Sequence, residues 1–369
     1  MRRGIKKNRL LDFWVGIPVL NALAAARSKR KWPEQAHRIG VMCSPALGDT
    51  LLFSAVARDL RYAFPDAQLV HLCMQQNLAA AELIGGIDRR VLLDLTRPLE
   101  TIKAVRSQRL DVLLDFTSWQ RLTALYTLLS GARFTAGFQT RGQHRGTGYD
   151  VVAEHRDDLH EVNNFRALLR VLEIPTGAEP LLVLPEIAQQ PFADEVDIVV
   201  FHPWASGHRS ALREWPNDRW LGLAHALADR DTTFAVTGAP SDAPRSHHLV
   251  QRMTSEGLRA VAFISPDGFA SLANLLLRAR VVISVNTGVM HLAAVIGATT
   301  VSINGPNRNG RWGPIGKFAR GVEAPGDDCG YLHLGFNFDR QATDCMERIS
   351  VEMIARAAED AMRQRRSGA

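Results

Sequence analysis

From His37 onward, short β-rich runs alternate with stretches of helical periodicity, and this alternation constrains the fold more than any other feature. "RIGVMCS" is followed by the loop and helix of "PALGDTLLFSAVARDLRYAF", "AQLVHLC" by "NLAAAELI", and then come "RVLLDL", "LDVLLDF" and a Leu-rich helix near 120–129. A helix near 161–172 ends at Ile174-Pro175, and "TGAEPLLVLPEIAQQP" has the Pro and Gly content of a linker. The cycle then restarts with "VDIVVFHP", "TTFAVTGAP", "AVAFIS", "RVVISVN" and "TTVSING", separated by helical stretches. Strands joined through helices require right-handed crossovers and parallel sheets. The expectation is an α/β chain of two doubly wound, Rossmann-like halves facing a central cleft, with ligands at the C-terminal edges of the strands. The expected boundaries are an arm at 1–37, domains at 38–188 and 189–349, and a terminal helix with a basic tail at 350–369.

Charge is distributed unevenly. The chain carries a formal +6, but residues 1–38 hold ten Lys or Arg against Asp12 and Glu34, leaving the rest slightly acidic. The basic character therefore belongs to the arm, and a nucleic-acid groove is not expected. Within the arm, the mainly apolar stretch Leu10–Ala26 is interrupted by Asp12, Pro18 and Asn21, and RSKRK follows it. That is marginal for spanning a hydrocarbon core of ~30 Å and suits a segment lying in the headgroup region of an anionic membrane. A disordered or domain-packing arm is the alternative. Cys43, Cys73, Cys329 and Cys345 form no CxxC pair. They read as free thiols in a reducing cytosol, with pairing or metal sharing by Cys329 and Cys345 left open.

Several chemistries lack their signature. No G-x-G-x-x-G follows a strand, "GRWGPIGKF" lacks P-loop spacing, and HExxH and GxSxG are absent. Asp229-Arg230-Asp231 has a D-x-D form, but at a helix end it reads as turn chemistry. No metal and no cofactor are expected.

Three strand-to-helix junctions remain. In "SVNTGVMHLAA", Asn286, Thr287 and Gly288 lead directly into a helix carrying Val289 and His291. Uncapped helix N–H groups and the helix dipole make such a junction an anion cradle. Taken alone, however, a simple cap by Asn or Thr explains it. In "SPALGDTLLFSA", Gly48 permits a turn, and Asp49 beside Thr50 either caps the helix or takes a proton from a hydroxyl nucleophile. In "HPWASGHRSALREWPNDRW", Ser206 and Gly207 offer loop donors, and Arg209 and Arg213 offer phosphate-neutralising cations.

Five blocks, "GDTLLFSAVARDLRYAFPDAQL", "LDVLLDFTSWQRLTALYTLLSGARFTAGF", "HEVNNFRALLRVLEI", "REWPNDRWLGLAHAL" and "RVVISVNTGVMHLAAVIGATTVSINGP…RWGP", resemble in order the lipopolysaccharide heptosyltransferase family, glycosyltransferase family 9. The resemblance implies a GT-B fold, with nucleotide sugar on the C-terminal half and acceptor on the N-terminal half. It also implies inverting transfer from ADP-heptose to a lipid-linked lipopolysaccharide-core acceptor without an essential metal, at the cytoplasmic face of the inner membrane. Carried over, Asp49 is the general base, with Gly48 and Thr50 beside it on the acceptor side. Thr287, Gly288 and Val289 cradle the pyrophosphate with His291 close behind, Arg213 contacts phosphate, and Ser206 and Gly207 are loop donors. Two departures stand out. The family commonly has Asp-Thr-Gly where this chain has Asn286-Thr287-Gly288, which leaves the donor sugar open. The Gly305–Asn309 element adds Arg308 as a cation near the expected phosphate. Another nucleotide sugar, or an idle nucleotide-sugar-binding membrane scaffold, is the alternative.

Overall fold

The computed structural model describes residue 14 and residues 16–186, 197–207, 210–265, 268–332 and 343–367. The chain divides between Val183 and Leu184 into two compact units. The expected boundary at 188 lies outside the described residues.

The N-terminal unit contains β1 (Arg38–Met42), β2 (Gln68–Met74), β3 (Arg89–Leu93), β4 (Val112–Asp115), β5 (Phe134–Thr140) and β6 (Val151–His155), in the spatial order 3-2-1-4-5-6. All pairings are parallel, with Val41 opposite His71 on one side and Leu114 on the other. Its helices are α1 (Ile17–Ala25), α2 (Leu47–Ala63), α3 (Leu78–Glu82), α4 (Pro98–Ser107), α5 (Arg121–Leu128) and α6 (Glu161–Arg170). The C-terminal unit repeats the plan. Its strands β7 (Asp197–His202), β8 (Thr232–Thr237), β9 (Arg259–Phe263), β10 (Val281–Val285), β11 (Thr300–Asn304) and β12 (Ala319–Glu323) lie in the order 12-11-10-7-8-9. Read from the other edge, this is the same doubly wound order. The helices here are α7 (Asn217–Leu227), α8 (Ala243–Ser255), α9 (Phe269–Arg278), α10 (Gly288–Val295), α11 (Asn309–Trp312) and α12 (Val351–Ser367).

The central strands β7 and β10 are buried on both faces and read as continuous Val/Ile runs, as parallel strands covered by helices must. The strands missed by periodicity, β5, β6 and β12, carry weaker apolar patterns, β6 being a partly exposed edge strand. β5, "FTAGFQT", carries Thr and Gly, and Gly137 is required because any Cβ there would run into the Tyr149 ring at 2.5 Å. β12, "ARGVE", is a partly exposed edge strand whose residues carry little hydrophobic signal.

The described residues near both termini pack into the units. Leu20 on α1 is buried against Ala124 and Tyr149. Arg27 and Arg30 both pair with the buried carboxylate of Asp150, at 3.2 and 2.9 Å. Trp32 stacks on Phe64 and meets Phe134 edge-on. Residues 17–32 are thus built into the N-terminal unit rather than standing off as an arm, and two cations of RSKRK are consumed internally. Residues 1–13 and 15 lie outside the described set. Among the described residues no helix is long and apolar enough to cross a membrane. At the other end, α12 buries Ile354, Ala358 and Ala361 in the core that holds Trp215 and Trp220, and Trp215 Nε1 donates to Ile349 O at 2.9 Å.

The free-thiol expectation is corrected for one pair: Cys329 and Cys345 form a disulfide, with Cα atoms 5.7 Å apart. The sixteen-residue spacing carries no motif, so only the fold brings the two together. Cys43 and Cys73 are free and buried.

Candidate functional site

A doubly wound sheet opens a crevice where its strand order reverses. In the N-terminal unit this point lies between β1 and β4, and in the C-terminal unit between β7 and β10. Every described site residue expected from the sequence sits in a loop or first turn that follows one of those strands.

In the N-terminal unit, β1 runs into α2, which Ala46 opens without a side-chain cap. Gly48 and Asp49 lie half-buried in the first turn, where the helix dipole favours a carboxylate. Thr50 is fully buried. Its hydroxyl reaches Ala46 O at 3.0 Å and Ser44 O at 3.2 Å, and it accepts from Asn77 Nδ2 at 3.0 Å. Thr50 therefore shapes the turn and is closed off from an acceptor.

Asn77 is a residue that sequence reasoning passed over. Its Oδ1 accepts the Met74 N–H at 2.8 Å, and its Nδ2 also donates to Ser44 O at 3.2 Å. It ties the β2–α3 turn to the β1–α2 loop. In "MQQNLAA" it reads as an ordinary helix-start Asn, so nothing local marks it.

Beneath it, Cys43 Sγ and His71 Nε2 are 3.2 Å apart. Burial pushes the thiol up to about 12 and the imidazole down to about 3. Both are neutral, which excludes a thiolate nucleophile here.

A second carboxylate lies at the same switch point, since Asp115 ends β4. It is fully buried, and its Oδ2 accepts from Arg145 and from Tyr149 OH at 2.6 Å each. Its Oδ1 accepts the Thr117 N–H at 2.9 Å. Asp115 is committed to the protein interior, whereas Asp49 is partly open to solvent.

In the C-terminal unit, β7 ends at His202, which burial holds near pKa 4 and therefore neutral. His202 Nδ1 lies 2.8 Å from the Thr237 hydroxyl oxygen, which itself lies 3.2 Å from Phe201 O. The loop continues to Ser206 and Gly207, both exposed, and Gly207 takes φ +92°, a conformation that favours glycine. Arg209 lies outside the described residues. Arg213, at the end of a short 3-10 turn, donates to Ser206 O. The same loop is held by Glu214, which accepts the Ala205 N–H at 3.0 Å and pairs with Arg245 at 3.0 Å. Arg245 lies over the Trp204 ring at 4.3 Å. This Trp204–Glu214–Arg245 lock went unrecognised because its members come from separate elements.

The neighbouring junction follows β10. Thr287 has extended backbone and makes no side-chain cap to α10, so the cap explanation fails for it. Thr287 and Gly288 are half-buried, with the first-turn N–H groups of the helix behind them. Val289 and His291 are buried on the packed face of α10. The Asn286 amide is also turned inward: its Nδ2 donates to Asn304 Oδ1 at 2.7 Å and to Trp312 O at 2.8 Å. Arg308 directs its Nε to Gly330 O at 3.0 Å, which ties part of that cation to backbone. Asp229 of the D-x-D pairs with Arg280 at 2.7 Å just before β8 begins, at the opposite end of the strands from these loops.

Known proteins place this chain clearly. Residues 99–329 match the family model of glycosyltransferase family 9 (heptosyltransferase). Among curated proteins, lipopolysaccharide heptosyltransferase 1 of Escherichia coli is 30% identical over 121 residues, covering 32% of this chain and 36% of that protein. The Pseudomonas aeruginosa protein of the same name is 29% identical over 127 residues, covering 34% of this chain and 31% of that protein. The matched stretch thus spans about a third of these curated relatives. Among solved structures, a family 9 glycosyl transferase from Veillonella parvula superposes with TM-score 0.76 at 16% identity, covering 90% of this chain and all of that one. E. coli ADP-heptose lipopolysaccharide heptosyltransferase II gives 0.73 at 16% identity over 89% and 99% of the two chains. These likenesses establish the fold as the α/β, GT-B type of the heptosyltransferases. With well over half of its length matched by the family model, the chain belongs to glycosyltransferase family 9, the heptosyltransferases.

Proposed function

We propose that this protein is an inverting glycosyltransferase that moves heptose from ADP-heptose to a hydroxyl of a lipopolysaccharide-core type acceptor. The observation that carries the reading is the β10–α10 junction. A helix N-terminus without a side-chain cap opens at the switch point of the sheet, beside the β7 loop that carries Ser206, Gly207 and Arg213. Backbone N–H groups, the helix dipole and one arginine are the equipment for a diphosphate leaving group. In this reading Asp49 takes the proton of the acceptor hydroxyl as its oxygen bonds to the anomeric carbon. The nucleoside diphosphate departs with the electron pair of the broken C–O bond. A relative supports the donor: one E. coli heptosyltransferase is described in two solved structures, with ADP and with ADP-2-deoxy-2-fluoro heptose.

The acceptor is lipid-linked, and the enzyme works peripherally at the cytoplasmic face of the inner membrane. Support comes from Trp14, 70% exposed, and Val19, 39% exposed, beside the helix whose Leu20 is buried. Such apolar side chains flanked by cations insert into an anionic headgroup layer.

The test is a thermal-shift and transfer assay. ADP stabilises the protein more than UDP or GDP do, and Asp49→Ala abolishes transfer while ADP binding persists. Equal stabilisation by all three nucleotides removes the ADP-heptose assignment, and normal turnover by Asp49→Ala removes the base. A protein that binds anionic vesicles but no nucleotide is instead a membrane scaffold.

A further inference from the structure

Asn286 heads a chain of three amides whose orientation is dictated at both ends. At one end its Nδ2 donates to the main-chain oxygen of Trp312. At the other, Asn309 Nδ2 donates to the main-chain oxygen of Gly321 at 2.8 Å. Between them, Asn304 accepts from Asn286 at 2.7 Å and donates to Asn309 Oδ1 at 2.5 Å and to Ser302 Oγ at 2.7 Å. Backbone carbonyls only accept, so no member can flip without setting oxygen against oxygen. The relay joins the ends of β10 and β11, the short helix α11 and the edge strand β12. An independent feature fits it: a Cβ at Gly321 would fall 1.8 Å from Asn309 Oδ1, so β12 carries glycine where that amide presses in. Asn304 is fully buried and Asn286 is 8% exposed.

We propose that Asn286 is a positioning residue of the donor site rather than a contact to the donor sugar. Both hydrogens of its amide are committed to protein. Its work is to pin the Gly305–Trp312 segment against the end of β10, from which Thr287 and Gly288 start the diphosphate cradle. Asp cannot replace it. A carboxylate at 286 faces the oxygens of Trp312 and Asn304, and reversing the amides of Asn304 and Asn309 leaves the conflict with Trp312 O and adds one at Gly321 O. The choice of Asn before Thr-Gly is therefore coupled to Asn304, Asn309 and Gly321. This inference rests on the nucleotide-sugar reading for its ligand, but not for its geometry.

The experiment compares the unaltered protein with Asn286→Asp, Asn309→Ala and Gly321→Ala. Melting temperature is recorded, and ADP affinity is measured by calorimetry at a temperature where all four are folded. All three variants are expected to melt lower and to bind ADP more weakly, Asn286→Asp by about tenfold, the scale of one lost buried hydrogen bond. Raised KM for the nucleotide sugar with kcat largely kept is the matching kinetic signature. Unchanged ADP affinity in folded Asn286→Asp overturns the proposal. So does an effect confined to the sugar-bearing donor with ADP binding and melting intact, because that marks a direct sugar contact. If the unaltered protein binds no nucleoside diphosphate, the functional reading fails. The melting temperatures of Asn309→Ala and Gly321→Ala against Asn286→Asp then still decide the relay.

Discussion

Asn77 Nδ2 lies 3.0 Å from Thr50 Oγ1 and 3.2 Å from Ser44 O, so one buried amide holds both ends of the turn that presents Asp49. Replacing Asn77 with Ala strands these acceptors together with the Met74 N–H. The expected cost is about 1–3 kcal/mol of stability. If Asp49 is the base and ADP binds at the β10–α10 junction, as proposed, kcat for transfer falls as the turn loosens while ADP affinity stays unchanged. Paired denaturation and kinetic measurements check this, and full kcat in a destabilised variant refutes the positional role.

Two histidines make stability depend on pH. His71 and His202 have folded-state values of about 3 and about 4 against an ordinary 6.5, because burial disfavours the imidazolium. Between those values and 6.5 the unfolded chain binds more protons than the folded one, so stability falls as the solution is acidified. The loss amounts to about 2 kcal/mol per histidine between pH 6.5 and pH 5. Urea denaturation of the unaltered protein and of His202→Asn over that range tests the claim. The variant is expected to show a shallower slope.

Asp150 is the anchor of the N-terminal segment. It accepts from Arg27, Arg30 and the Thr135 N–H and hydroxyl. Asp150→Ala leaves these donors facing one another and is expected to cost about 3–5 kcal/mol, the scale for breaking a buried ion pair. Tryptic cleavage after Arg27 and Arg30 should accelerate. Vesicle binding should strengthen as both cations become available to anionic lipid.

The Cys329–Cys345 disulfide closes a loop with a sequence separation of 16, worth about 3 kcal/mol of chain entropy. Next to it, Leu332 N donates to Pro306 O at 2.7 Å and Gly330 N to Gly305 O at 3.2 Å. The staple therefore supports the same Gly305–Trp312 segment that the amide relay holds from the other side. Reduction is expected to lower the melting temperature and weaken ADP binding. Cys345→Ser should behave like the reduced protein and respond no further to reductant.

The alternation of strands and helices around the central strands, the doubling of the α/β plan and the positions of the three junctions were legible from local pattern alone. Strand and helix periodicity is written in neighbouring residues, and a run such as "RVVISVNTG" announces both a buried strand and the turn that ends it. β5, β6 and β12 escaped because their stability comes from pairing with neighbours rather than from their own apolar content. Asp49 and Thr287 could be named from sequence because each stands where a strand becomes a helix. What those junctions are made of was settled only in three dimensions. Asn77 reaches Thr50 across 27 residues, Asn286 reaches Asn304 and Trp312 across 18 and 26, and Arg30 reaches Asp150 across 120. A hydrogen bond between distant residues leaves no periodic trace in the chain. Whether an Asn caps a helix or orients a site is decided by which buried acceptor the fold sets in front of it.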